Sequence, residues 1–361
     1  MKAVLKKIVC ISLTVVMVMA LTGCGDKARH EEAKKKYGSD KLTVFLPGEY
    51  IDDDVIPSFE KKFGVTVNVE EFDSNESMYT KFASGDKYDV LIPSDYMIER
   101  LMKENKLQKI DKSLIPNMNV LCAEVQNLSF DPTNDYSVPY FWGNFGIVYD
   151  TRKVTLSDLE AKDYEILRDT RYKGDIFMYD SERDGFLVAF KSLGYSCNSE
   201  DEQEIQEAYE WLLELGNTMK PVYVTDEVID GMINGNKALA LVYSGDAVTI
   251  LEENENMSYY VPKCGSNVFC DSMVIPANAE NPKLAHEFIN YMLSYEISKK
   301  NTLAVGYTSP NAKVLDEMIK NDFADNIAYV PRKSDKDELY HDNEFLRKKL
   351  SELWTKVIAT Q

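Results

Sequence analysis

The chain has 361 residues, 44% hydrophobic and 11% aromatic, enough for two domains with ample cores. Its formal charge of −19 argues against a nucleic-acid partner, whose phosphates it would repel. The same charge permits a cationic ligand, although acidic surfaces also serve solubility alone.

The first residues, MKAVLKKIVCISLTVVMVMALTGCG, carry Lys2, Lys6 and Lys7 ahead of an apolar run from Ile8 to Leu21. A basic start, an apolar stretch shorter than a membrane span and small residues before a cut predict a secretory signal over residues 1–23, not a transmembrane helix. LTGC resembles the lipobox of bacterial lipoproteins, which implies cleavage before Cys24 and acylation of its sulfur. Paired acyl chains hold a protein stably to a membrane, so the chain is expected on the extracytoplasmic side, lipid-anchored. Residues 24–40 are charged and apolar-poor and read as a tether, partly helical, between anchor and domain.

From Lys41 strands and helices alternate. LTVFL is an apolar strand, IDDDVIPSFEKKFG a helix ending at Gly64, and VTVNVEEF a second strand. NESMYTKFASGD is a helix, YDVLIPS a buried strand and DYMIERLMKENKL a helix. The alternation resumes with the strand DIFMYD, the helix EIQEAYEWLLELGN and the strand ALALVYSG. NPKLAHEFINYMLSYEISKK reads as one more helix, with Asn281 as its cap before Pro282. This pattern predicts an α/β protein of two lobes, each with a parallel sheet covered on both faces. Ligands of such sheets sit beyond the carboxyl ends of the strands. Cys122, Cys197, Cys264 and Cys270 remain after the signal and Cys24, with no CxxC among them. We read all four as small buried hydrophobes, although Cys264 and Cys270 are spaced to bridge a hairpin.

Long collinear blocks carry a family likeness: SNESMYTKFASGDKYDVLIPSDYMIERLMKENKLQKIDKSLIPN, SFDPTNDYSVPYFWG, LGYSCNS, DSMVIPANAENP and GYTSPN. They resemble the spermidine/putrescine-binding proteins of polyamine ABC importers, from about Leu42 to Tyr307. The resemblance implies a two-lobed solute-binding fold crossed twice by the chain, with residues 41–146 plus 270–316 in one lobe and 147–269 plus 317–361 in the other. It also implies a polyamine ligand, a membrane permease as partner, no cofactor, and a monomer.

A polyamine is a set of ammonium groups joined by methylenes. Carboxylates bind its charges through short hydrogen bonds, and aromatic faces cover the methylenes while attracting the cations. Such residues follow predicted strands. FLPGEY supplies Glu49 and Tyr50, IPSDY supplies Ser94 and Tyr96, and YDSERDGF supplies Asp180, Ser181, Glu182 and Asp184. VYSGD supplies Tyr243 and Asp246. In VFCDSMVIPA, Phe269 and Asp271 share one face of a strand by period two. Each alone reads equally well as a surface acid, a turn residue or a packing ring.

By the resemblance, Asp271 matches the aspartate that holds an ammonium, and Asp184 stands one methylene short of the usual glutamate. Tyr50, Ser94 and Tyr96 match one wall, and Tyr307 a tyrosine beside the hinge. Pro47, Tyr243 and Phe269 stand where tryptophan is usual, Gly48 replaces a hydroxyl residue, and Ser181 replaces an acid that contacts a secondary amine. Asp246 matches the putrescine-preferring branch, so the set favours a diamine over spermidine, unless Glu182 compensates by reaching the cleft.

The competing reading from another class is an exported hydrolase. His30, His286 and His341 are the histidines present, and HEFIN at 286 lacks the second histidine of a zinc-protease helix. No nucleophile elbow, P-loop or clustered Cys/His site occurs. A ligand-presenting sensor, or a binder of another small cationic or organic solute, uses the same fold.

Overall fold

The computed structural model describes residues 27–360, so the predicted signal segment and Cys24 lie outside the described residues. Residues 27–37 of the expected tether form a helix seated on the domain. Ala33 there is 2% exposed, and the Tyr37 hydroxyl donates to Glu287 at 3.0 Å. Apolar content alone misses such docking, because one small buried side chain and a few polar contacts suffice for it.

The strands among the described residues are β1 (Lys41–Pro47), β2 (Thr66–Phe72), β3 (Val90–Leu91), β4 (Ser137–Asp150), β5 (Ile176–Tyr179), β6 (Val222–Val224), β7 (Leu239–Tyr243), β8 (Met257–Tyr260) and β9 (Val268–Val274). They run in the order β2-β1-β3-β9-β4-β7-β5-β6, with β8 also paired to β4. β1 is parallel to β2 and β3, and β5 is parallel to β6 and β7, as βαβ alternation requires. β4 and β9 run antiparallel to their neighbours, which corrects the expectation of purely parallel sheets. Buried apolar runs do not encode strand direction; connections do, and β4 follows a helix by way of a long stretch of short 3-10 turns and loop, while β9 follows β8 through a loop.

Every residue of β4 is buried. Its first part, Ser137 to Asn144, pairs with β9; from Phe145 onward it pairs with β7 and β8. The change of partner falls between Asn144 and Phe145. Beside this point the Phe145 amide donates to the Asn267 carbonyl at 3.0 Å and the Ser266 hydroxyl to the Phe145 carbonyl at 2.6 Å.

The predicted helices are present, with one division. The 281–300 stretch breaks into Pro282–Met292 and Tyr295–Val305, because Ser294 is extended and turns its hydroxyl onto the Tyr291 carbonyl at 2.6 Å. Asn281 does not cap; its side-chain amide donates to Asp89 at 3.2 Å. His286 is buried, accepting from the Asp111 amide at 2.9 Å and bonding the Pro282 carbonyl at 2.6 Å. All four described cysteines are free, and Cys264 is half-buried where the other three are buried.

The double pairing of β4 makes it the mechanical spine. Ile147, fully buried and paired to Leu241 on one side and Tyr260 on the other, contacts both flanking strands. Ile147→Ala is expected to lower unfolding free energy by about 3 kcal/mol in urea denaturation; a loss below about 1 kcal/mol would contradict a close-packed spine.

Candidate ligand-binding site

β1 ends at Pro47, and the turn that follows places Glu49 in the left-handed region (φ 53°) before Tyr50 enters the core. The Tyr50 hydroxyl donates to Asp271 Oδ2, while its carbonyl accepts from the Tyr140 hydroxyl at 2.7 Å. Asp271 is 7% exposed, and its second oxygen, Oδ1, has no partner. Burial pushes its carboxyl up to about 6, opposed by the Tyr50 hydrogen bond and by the neighbouring Ser94 hydroxyl, which forms no hydrogen bond to Oδ1. Asn75 fixes Ser94 by accepting its amide and donating to its hydroxyl, both at 3.0 Å.

Phe269 and Asp271 lie inside β9 and not after a strand. The antiparallel direction of β9 reconciles this with the site. The beginning of a reversed strand lies at the edge where the parallel strands end. Phe269 packs edge-on between Tyr307 and Tyr243, with centroids 5.7 and 5.3 Å away, and Tyr307 continues to Tyr50 at 5.5 Å. The rings therefore form a row, Tyr50, Tyr307, Phe269, Tyr243.

Carboxylates flank this row. The Tyr307 hydroxyl donates to Asp246 at 3.0 Å, in the first turn of the helix Ser244–Glu253. Burial pushes Asp246 up to about 7. Gly245 is required here, since a Cβ would meet the Tyr307 ring at 2.2 Å. At the other end the Tyr243 hydroxyl donates to Asp184 Oδ2 at 2.8 Å and the Tyr340 hydroxyl to Oδ1 at 2.9 Å. Asp184 is 2% exposed, and burial raises its pKa despite these bonds.

Of the remaining sequence candidates, Tyr96 lies beside the Asp184 end of the row, edge-on to Tyr340 at 6.3 Å, and the others lie off it. Tyr96 is buried and donates to Glu76 at 3.1 Å, with the Arg183 guanidinium over its ring at 3.9 Å. Ser181 caps the helix Glu182–Leu193, accepting from the Asp184 amide at 3.4 Å. Glu182 is half-buried; burial raises its pKa, and its neighbours are Ser351, Glu76, Arg183 and Arg347, not the ring row. Glu49 is exposed at the rim, where with Asp73 it adds to the raised pKa of Asp226, a shift caused first by burial.

Three participants escaped sequence reasoning. Tyr340 comes from a C-terminal loop with no periodic signal. Tyr179 meets Tyr243 edge-on at 5.5 Å. Arg183, 7% exposed, leaves Nε and Nη2 without partners; a lone basic residue inside SERD was its only sequence signal.

A cavity of about 640 Å³ lies elsewhere, lined by Trp142, Val268, Arg332 and Asp337 among others. Trp142 and Val268 alternate with Phe141 and Phe269 and so face away from the ring row. Lys333 there pairs with Glu124 at 2.6 Å and Arg332 with Asp337 at 2.5 Å, which leaves Arg332 Nε and Asp337 Oδ2 buried without partners.

Asp246 held near 7 binds a proton that the unfolded chain has already released. Asp246→Asn is therefore expected to gain stability relative to the parent as pH rises from about 4 to about 7. Paired urea titrations showing a difference flat in pH would contradict the raised pKa of this half-buried acid.

The model for bacterial extracellular solute-binding proteins matches residues 54–329. A spermidine/putrescine-binding periplasmic protein from Salmonella typhimurium is 32% identical over 84% of this chain and 87% of its own length. A putrescine-binding periplasmic protein from Pseudomonas aeruginosa is 31% identical over 84% and 88%. Among solved structures, a spermidine/putrescine ABC transporter protein from Listeria monocytogenes superposes with TM-score 0.81 at 35% identity, over 90% of this chain and all of that one. The substrate-binding protein of a spermidine/putrescine ABC transporter from Streptococcus pneumoniae gives TM-score 0.76 at 36% identity, over 89% and 99%. The relatives are binding proteins of transport systems, and the two-lobed fold is theirs. With that fold, and with a family match across most of its length, the chain belongs to the bacterial extracellular solute-binding proteins.

Proposed function

We propose that this chain captures a polyamine between its lobes and delivers it to the membrane permease of an ABC importer, and that it prefers a diamine such as putrescine to spermidine. The observation that carries the reading is Asp271, a buried carboxylate with one oxygen unpartnered, at one end of a row of rings that ends in Asp184. An ammonium replaces the proton that burial favours on such an acid, and the rings cover the methylenes between charges. The names of the relatives support the ligand class, and one from Pseudomonas aeruginosa is a putrescine/cadaverine-binding protein.

The lobe division suits ligand capture. Residues 41–146 plus 270–316 carry Tyr50, Ser94, Asp271 and Tyr307, and residues 147–269 plus 317–361 carry Asp184, Tyr243, Asp246 and Phe269. Closure about the two crossings between lobes brings both walls to one ligand, and ligand binding favours it for that reason. Among the described residues no helix is long and apolar enough to cross a membrane. Attachment through acylated Cys24, a monomeric state and recognition of the closed form by the permease complete the reading.

Titration calorimetry with putrescine, cadaverine, spermidine and spermine tests it. One-to-one binding strongest for a diamine, and lost in Asp271→Ala, is expected; no heat with any of the four would end the polyamine assignment. Affinity is also expected to rise from pH 5 to pH 8. The amines stay charged across that range, while Asp271 and Asp246 ionise near 6 and 7. Proton release on binding near pH 6.5, read as a buffer-dependent enthalpy, accompanies it; pH-independent binding would contradict the role of these acids.

Arg183 supports a second reading, an amine whose far end bears a hydrogen-bond acceptor, because two of its N–H groups are buried without partners. Tighter binding of an ω-amino acid than of the diamine of equal length would favour it.

A further inference from the structure

The last helix, Glu344–Ala359, carries Trp354, which is 7% exposed and touches none of the ring row. Its indole N–H donates to Asp180 Oδ1 at 3.1 Å, and its ring lies edge-on to Tyr223 with centroids 5.6 Å apart. The ring also occupies the space a side chain at Gly185 would need, since a Cβ there would stand 2.2 Å from Cζ3.

These contacts bracket Asp184. Asp180 ends the turn leaving β5, tied by its amide to the Val224 carbonyl at 2.8 Å, and Ser181 then caps the helix whose first turn holds Asp184. Trp354 thus holds the turn by a hydrogen bond four residues before Asp184 and by ring packing one residue after it. We infer that Trp354 is a positioning residue, aiming the Asp184 carboxylate along the ring row from outside the site. Asp180, an acid of the same strand-end cluster, serves this clamp and not the ligand. The inference rests on Asp184 being a ligand carboxylate.

The test uses the full chain without its signal segment. Trp354→Phe keeps most of the ring and loses the N–H; putrescine Kd is expected to rise about five- to tenfold. Asp180→Leu should match it, and the double variant should be no weaker than either. Asp180→Asn, which keeps an acceptor, should bind within about twofold of the parent. The ratio of putrescine to cadaverine affinity should shift in Trp354→Phe, and stay fixed in Ile147→Ala, which destabilises without touching the turn. Asp180→Asn losing as much as Asp180→Leu would make Asp180 a ligand acid and overturn the clamp. An unchanged Kd and ratio in Trp354→Phe would also overturn it. If the parent binds no polyamine, the function reading fails separately, and the clamp is read in the ligand-free protein. The carboxyl resonance of Asp184 should then titrate at a changed pH in Trp354→Phe and at the parental pH in Asp180→Asn, and equal midpoints in all three proteins would overturn it.

Discussion

A carboxylate taken out of water must find a partner or take up a proton, and the cleft of this protein is built on leaving that requirement half-met. Asp271 has a tyrosine on one oxygen and nothing on the other. A rise from 3.8 to about 6 corresponds to about 3 kcal/mol against its charged form. Asp246 takes a tyrosine hydroxyl on one oxygen, whereas Asp184 takes one on each, with Arg183 close enough to favour its charge. On the proposed function, a ligand ammonium supplies the partner that Asp271 lacks. The negative charge of the chain matters less to this than the placement of these acids beside a row of packed rings.

That placement depends on the change of partner along β4. β4 pairs with β9 on one side of Asn144 and with β7 and β8 on the other, so a single buried strand fixes both walls. β9 brings Phe269 and Asp271 from the antiparallel direction to the edge where β1 and β3 end. The substitutions at tryptophan positions then have a local logic. Tyr243 offers a weaker cation-attracting ring than the tryptophan the resemblance expects there, and its hydroxyl reaches Asp184.

What the sequence revealed of this was its local part. Period-two placement put Phe269 and Asp271 on one face, and strand-end positions brought Tyr50, Tyr243 and Asp246 to one edge, because both are set by neighbours along the chain. Strand direction in β4 and β9, the helix break at Ser294, and the docking of residues 27–37 depend on contacts far away in sequence. So do Tyr340 and Trp354, which reach the Asp184 turn from more than 150 residues beyond it. Ser181 shows the converse: a residue read as a ligand contact caps a helix, since capping and ligand binding ask for the same hydroxyl.

A crystal structure of the chain with putrescine would decide whether the half-met acids are the ligand's partners. One ammonium is expected against Asp271 Oδ1 with Asp246 nearby, the other against Asp184, and the methylenes along Phe269 and Tyr243. Diamine seated in the cavity beside Trp142 and Arg332, or bound with both ammoniums away from Asp271, would contradict that role.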